Sequence, residues 1–82
     1  MSDTIDRLPD QLRKSGVSRS AHYNLRAQGL WVRPIRLSKR AVGNLSSESD
    51  ALVKARAANK SDAEIRDLVA QLEAARKEEA TT

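Results

Sequence analysis

"GVSRSAHYNLRAQGLWVRPIRLSKRAVG", residues 16–43, decides how this chain folds. "GVS" makes a tight turn into Ser18, whose hydroxyl suits the N-cap of a helix that Gly29 closes at its C-terminus. Just upstream, Pro9 stands where a first helical residue tolerates the loss of its N–H, and Asp10 favours the positive end of a helix dipole. A helix is therefore expected over about Pro9–Ser15, ended by Gly16. Two short helices joined by a three-residue turn containing glycine form the helix-turn-helix pattern. After Gly29, apolar and polar residues alternate around Arg33-Pro34-Ile35-Arg36-Leu37, as in a half-buried ribbon whose successive side chains face opposite sides. Pro34 suits an edge strand and Ser38-Lys39-Arg40 a turn, so a small β-hairpin is expected, with Arg33, Arg36, Lys39 and Arg40 as its cations.

On either side of this stretch the signals are local. Ile5–Leu8 reads as a short strand. A third helix starts near Ser46 or Ser47, with Glu48 and Asp50 in its first turn and Leu52 and Val53 turned to the core, and Asn59-Lys60 interrupts it. Ser61 stands three residues before Glu64 as a capping box, and Ile65, Leu68, Val69 and Leu72 share one stripe of a fourth helix. The expected organisation is a mainly α helix-turn-helix domain with a small β-hairpin over residues 1–59, a C-terminal amphipathic helix over 60–79 and a disordered tail over 80–82.

With 82 residues the chain is near the size at which one core only just offsets chain entropy, and a large enzymatic cleft is not expected. Cys and Phe are absent, and Trp and Tyr occur once each, so the core is aliphatic and thiolate metal sites are excluded. No apolar run approaches the roughly 20 residues that span a bilayer, and "MSDTID" lacks the basic-then-apolar order of a secretion signal. A cytoplasmic location is expected. The net charge of +4 is unevenly spread. Residues 11–47 hold eight cations (Arg13, Lys14, Arg19, Arg26, Arg33, Arg36, Lys39, Arg40) and no carboxylate, whereas the remainder is net negative. A middle of that sign attracts a polyanion, and nucleic acid is the commonest one in a cell.

On the second helix, about 100° per residue places Ser18, Ala21, His22, Leu25 and Gln28 on one side. Arg19, Ser20, Tyr23, Asn24, Arg26 and Ala27 fall on the other. Arg can pair bidentately with guanine and Asn with adenine, while Ser serves a base or a phosphate. Most such faces are merely the wet side of an amphipathic helix; this one shares its charge sign with the ribbon that follows. The DNA-contacting set is therefore expected to comprise Ser18, Arg19, Ser20, Tyr23, Asn24 and Arg26 on the helix, and Arg33, Arg36, Ser38, Lys39 and Arg40 on the ribbon, where cations neutralise phosphates. His22 is the sole His and has no carboxylate within 11 residues, so it reads as structural. Trp31 reads as a core plug. No cluster of His, Cys or carboxylates has catalytic or metal-ligand spacing, so neither enzyme activity, a metal nor a cofactor is expected.

From Arg7 to Gly43 the sequence resembles the AlpA family of small prophage and mobile-element regulators. The likeness is carried by Leu8, Gly16, Ser18-Arg19-Ser20, Tyr23, Gly29, Trp31, Pro34, Leu37 and Arg40-Ala41-Val42-Gly43. The tail "NKSDAEIRDLVAQLEAARK" resembles the last helix of one branch of that family. The resemblance implies a winged helix-turn-helix of the MerR or excisionase kind, binding double-stranded DNA. It implies action as a transcriptional regulator, as an excisionase that steers an integrase, or as both, with self-association of adjacent copies on DNA as a further expectation. Three residues depart from the family pattern: Ser38 replaces a usual Gly, Asn44 a usual Trp, and Ser49 an expected aliphatic residue. The last two are expected to deplete the core. The alternative role is a protein-interaction adaptor working through the C-terminal helix, distinguished from DNA binding by weak response to salt.

Overall fold

The computed structural model describes residues 3–80. In chain order the elements are β1 (Ile5–Asp6), α1 (Leu8–Ser15), α2 (Arg19–Ala27), β2 (Ile35–Arg36), β3 (Val42–Leu45), α3 (Ser46–Ala57) and α4 (Asp62–Ala80). The chain is mainly α, with a helix-turn-helix in α1–α2 and a small antiparallel sheet. The first strand is shorter than the expected Ile5–Leu8, because Leu8 already begins α1, one residue ahead of Pro9. Of the expected tail, Ala80 is the last helical residue and 81–82 lie outside the described residues.

Local chemistry sets most of the element ends. Arg7 N–H donates to Asp10 Oδ2 at 3.3 Å across the start of α1, and Gly16 N–H closes its end on the Leu12 carbonyl at 2.9 Å. Ser18 caps α2 by accepting the Ala21 N–H at 3.2 Å. Gly29, at φ +75°, reverses the chain beyond it in a conformation that costs a side-chain-bearing residue energy. Asn59, at φ +58°, turns the chain out of α3, which is the interruption expected at Asn59-Lys60. Ser61 and Glu64 form their reciprocal capping box, Glu64 N–H to Ser61 Oγ at 3.2 Å and Ser61 N–H to Glu64 Oε1 at 3.0 Å.

The hairpin is part of a three-stranded sheet of order β1-β3-β2, with β3 central. Ile5 pairs with Leu45 and Asp6 with Asn44 on one side of β3; Ile35 pairs with Gly43 and Arg36 with Val42 on the other. A side chain at Gly43 would lie 2.7 Å from the Asp6 carbonyl oxygen and from Ile5 Cγ2, so β1 can approach only because that position is glycine. The turn at Ser38-Lys39-Arg40 is closed by Leu37 and Ser38 N–H groups on the Ala41 carbonyl, at 2.8 and 3.2 Å. Ser38 avoids positive φ, so its replacement of glycine stores no backbone strain there.

The core consists of Leu30, Trp31, Val32, Leu52, Ala55, Ile65 and Val69, with Leu25, Leu68 and Leu72 packed against it. The α4 stripe thus buries itself in its own domain. Each fully buried aliphatic side chain contributes about 1.5–3 kcal/mol, a large share of the stability of a chain this small. The expected depletion at Asn44 and Ser49 is not a hole. Both are buried, at 1% and 0% exposure. Asn44 Nδ2 donates to Ser49 Oγ and to the Leu45 carbonyl, each at 2.8 Å, and Asn44 Oδ1 accepts the Trp31 indole N–H at 3.3 Å. A satisfied polar plug stands where the family pattern has apolar bulk.

Candidate nucleic-acid interface

Helix α2 is seated by a buried polar chain that begins on α1. Gln11, 2% exposed, donates from Nε2 to the Asp6 carbonyl at 2.9 Å. Its Oε1 takes hydrogen bonds from His22 Nε2 at 2.9 Å and from Arg26 Nη2 at 3.3 Å. An amide oxygen only accepts, so His22 carries its proton on Nε2. Burial, and after it the nearby Arg26 charge, push the His22 pKa down and keep the ring neutral. The ring meets Trp31 edge to face at 5.1 Å between centroids. His22 and Trp31 are therefore both structural, as expected from their sequence setting.

With His22 turned inward, Arg19, Ser20, Tyr23, Asn24 and Ala27 are exposed on the far side of α2. Two residues assigned inward, Ser18 and Gln28, are exposed instead, because they sit at the two helix ends where the core no longer covers them. Arg26, assigned outward, is half-buried: besides its bond to Gln11, its guanidinium lies 5.4 Å from the centroid of the Tyr23 ring. Ser18 Oγ is engaged in capping and lies 3.4 Å from Ser20 Oγ. On the ribbon, Arg33, Arg36, Ser38, Lys39 and Arg40 are all exposed.

Pairing separates the eight cations of residues 11–47 into two groups. Arg13 pairs with Asp10 at 3.2 Å. Lys14 Nζ lies 2.7 Å from Asp6 Oδ2 and 3.2 Å from Asp50 Oδ1, and the Asp6 hydrogen bond foremost raises its pKa. Arg19, Arg26, Arg33, Arg36, Lys39 and Arg40 form no ion pair among the described residues. The six unneutralised cations are the ones on α2 and on the ribbon. A surface of that kind offers guanidinium donors, hydroxyls and one amide on a rigid helix beside a basic hairpin. It suits a polyanion with a groove wide enough for a helix.

A family model described as prophage CP4-57 regulatory protein (AlpA) matches residues 5–57. The chain belongs to the AlpA family. The matched span runs from β1 to the end of α3, so it takes in the helix-turn-helix and the ribbon, and α4 follows it. No curated protein and no solved structure matches the chain at a significant level. Among the described residues of this AlpA-family chain no group of His, Cys, Asp or Glu could hold a metal ion, and no helix is long and apolar enough to cross a membrane.

Two residues that position the surface escape sequence reasoning. The sequence assigns Gln11 no role, yet it joins β1, α1 and α2. The sequence assigns Arg66 no role either, yet its Nε donates to the Gln28 carbonyl at 2.8 Å, at the C-terminal end of α2. For Gln11 the one available signal is its place three residues after Leu8, on the same side of α1; for Arg66 there is none.

Proposed function

We propose that this AlpA-family chain is a sequence-specific double-stranded DNA-binding protein of a prophage or integrative element. Helix α2 reads base edges in the major groove through Arg19, Ser20, Asn24 and neighbouring side chains. The ribbon acts as a wing, with Arg33, Arg36, Lys39 and Arg40 on phosphates. The observation that carries this reading is the division of cations: those on α1 are neutralised within the fold, and those on α2 and the ribbon are not. A paired cation is already satisfied inside the chain, whereas an unpaired one remains available to an external anion.

Regulator and excisionase share this one physical act and differ in where it occurs, at a promoter or at an attachment site beside an integrase. Adjacent copies loading side by side would serve either. Footprinting the full chain on the DNA of its own element tests the proposal: protection of an attachment region supports the excisionase role, protection of a promoter the regulatory one, and no protected region at low salt refutes sequence-specific binding. The adaptor alternative loses its main support, because Ile65 and Val69 are buried in the chain's own core and so are withdrawn from any partner.

A further inference from the structure

An open groove of about 310 Å³ runs between the C-terminal end of α2, the root of the ribbon and α4. Arg26, Arg33 and Arg66 line it, with Glu73 as its one acid, and Ala27 and Ala70 keep its walls low. Ala27 is also the last residue of the exposed α2 face, so the groove opens beside the surface proposed to read bases. The Arg66 side chain lies over Gly29, close enough that a Cβ added to the glycine would sit 3.8 Å from its Cγ. Its Nε is tied to the Gln28 carbonyl, and its guanidinium forms no ion pair among the described residues. Glu73 Oε2 accepts the Arg33 backbone N–H at 2.8 Å, which fixes the ribbon root against α4.

We propose that this groove holds a DNA phosphate strand running between α2 in the major groove and the phosphate-binding ribbon, and that α4 thereby contributes Arg66 to the DNA interface. The inference rests on the DNA-binding reading above. Its reason is geometric: a helix seated in the major groove is flanked by a phosphodiester backbone, and where that backbone passes between α2 and the ribbon it meets the cations that line this groove. Arg66 suits the task, since one nitrogen is anchored on a backbone carbonyl while the remaining donors of the planar fork stay available for two phosphate oxygens. Glu73 opposes the phosphate, and its use as an acceptor for the ribbon root explains its presence there.

The test titrates the full chain onto a mixed-sequence DNA duplex across a range of salt concentrations, comparing wild type, Arg66→Ala, Glu73→Gln and, as a control cation on α3, Lys54→Ala. The expected result for Arg66→Ala is a salt slope smaller by about 0.9 and binding about eightfold weaker near 0.1 M salt, the effect of one phosphate left unneutralised. Lys54→Ala should change neither. Glu73→Gln keeps the acceptor for Arg33 and removes a negative charge, so it should bind severalfold tighter. If Arg66→Ala behaves as Lys54→Ala does, the groove carries no phosphate strand, although the DNA reading survives on wild-type binding. Wild type that fails to bind the duplex refutes both. Should Arg66→Ala unfold the chain, Glu73→Gln decides: tighter binding supports the proposal and unchanged or weaker binding overturns it.

Discussion

Asn44 Nδ2 donates to Ser49 Oγ over 2.8 Å at a place neither residue shares with solvent, and through Oδ1 the same amide takes the Trp31 indole N–H. Removing one member of such a network leaves its partners buried and unpaired. Asn44→Ala should therefore lower stability by about 1–3 kcal/mol, and Ser49→Ala by less. The double variant should lose less than the two single losses added, because the shared bond is removed only once. Denaturant unfolding of the four proteins measures the cycle; simple additivity would show that the two side chains do not interact.

Arg76 clasps Glu48 with Nε on Oε2 at 2.6 Å and Nη2 on Oε1 at 2.7 Å, tying α4 to the first turn of α3. The Glu48 side chain is 3% exposed, and its Oε1 also accepts the Leu45 N–H. Arg76→Ala would strand that carboxylate, at a cost of about 3 kcal/mol. Adding Glu48→Gln should recover part of the loss, since a neutral amide is easier to bury than a carboxylate. Thermal melts of the single and double variants check both statements.

The fold keeps His22 neutral, its pKa lowered from 6.5 by burial first and by the Arg26 charge second. Above the unfolded value the ring is neutral in both states and its contribution is complete. As pH falls below about 6.5 the unfolded chain takes up a proton that the folded chain resists, so stability falls, by at most about 1.4 kcal/mol per pH unit, until the folded value is passed. Melting temperature should drop between pH 7.5 and 5.5, going downward through about 6.5, and His22→Leu should flatten that dependence. An equal drop in the variant would assign the titration to another group.

Arg19 is exposed in the first turn of α2, without an ion pair among the described residues. If it reads a base edge, Arg19→Ala should cost roughly 1–3 kcal/mol on the cognate site and less on random DNA. Equal losses on both would reassign it to phosphate.

The ribbon should behave differently. Replacing Arg36, Lys39 and Arg40 with Ala should weaken binding to all sequences and reduce the slope of log K against log salt by up to about 0.9 for each phosphate no longer neutralised. An unchanged slope would remove the ribbon from the interface. Melts should move little, because all three side chains are exposed.

The features legible in the order of residues are those whose partners lie within a turn or two along the chain. Ser18, the Ser61–Glu64 box, the break at Asn59 and the alternation around Ile35 act through neighbours a few residues away, so spacing alone reveals them. The turning of His22 into the core is legible for a similar reason, since helical periodicity and the lack of nearby carboxylates are properties of the sequence. Packing in three dimensions settles which charges are free and how the buried polar groups are satisfied. Lys14 belongs to the basic stretch by position but to Asp6 and Asp50 by contact. Asn44 looks like a missing core residue in the sequence, yet Trp31, 13 residues away, donates to it. Glu48 and Arg76 meet across 28 residues, and Arg66 reaches the end of α2 across 38. A buried polar atom is tolerated only where a partner sits at the right distance and direction, and for these groups the partner is set by how helices cross in space, which residue spacing does not encode.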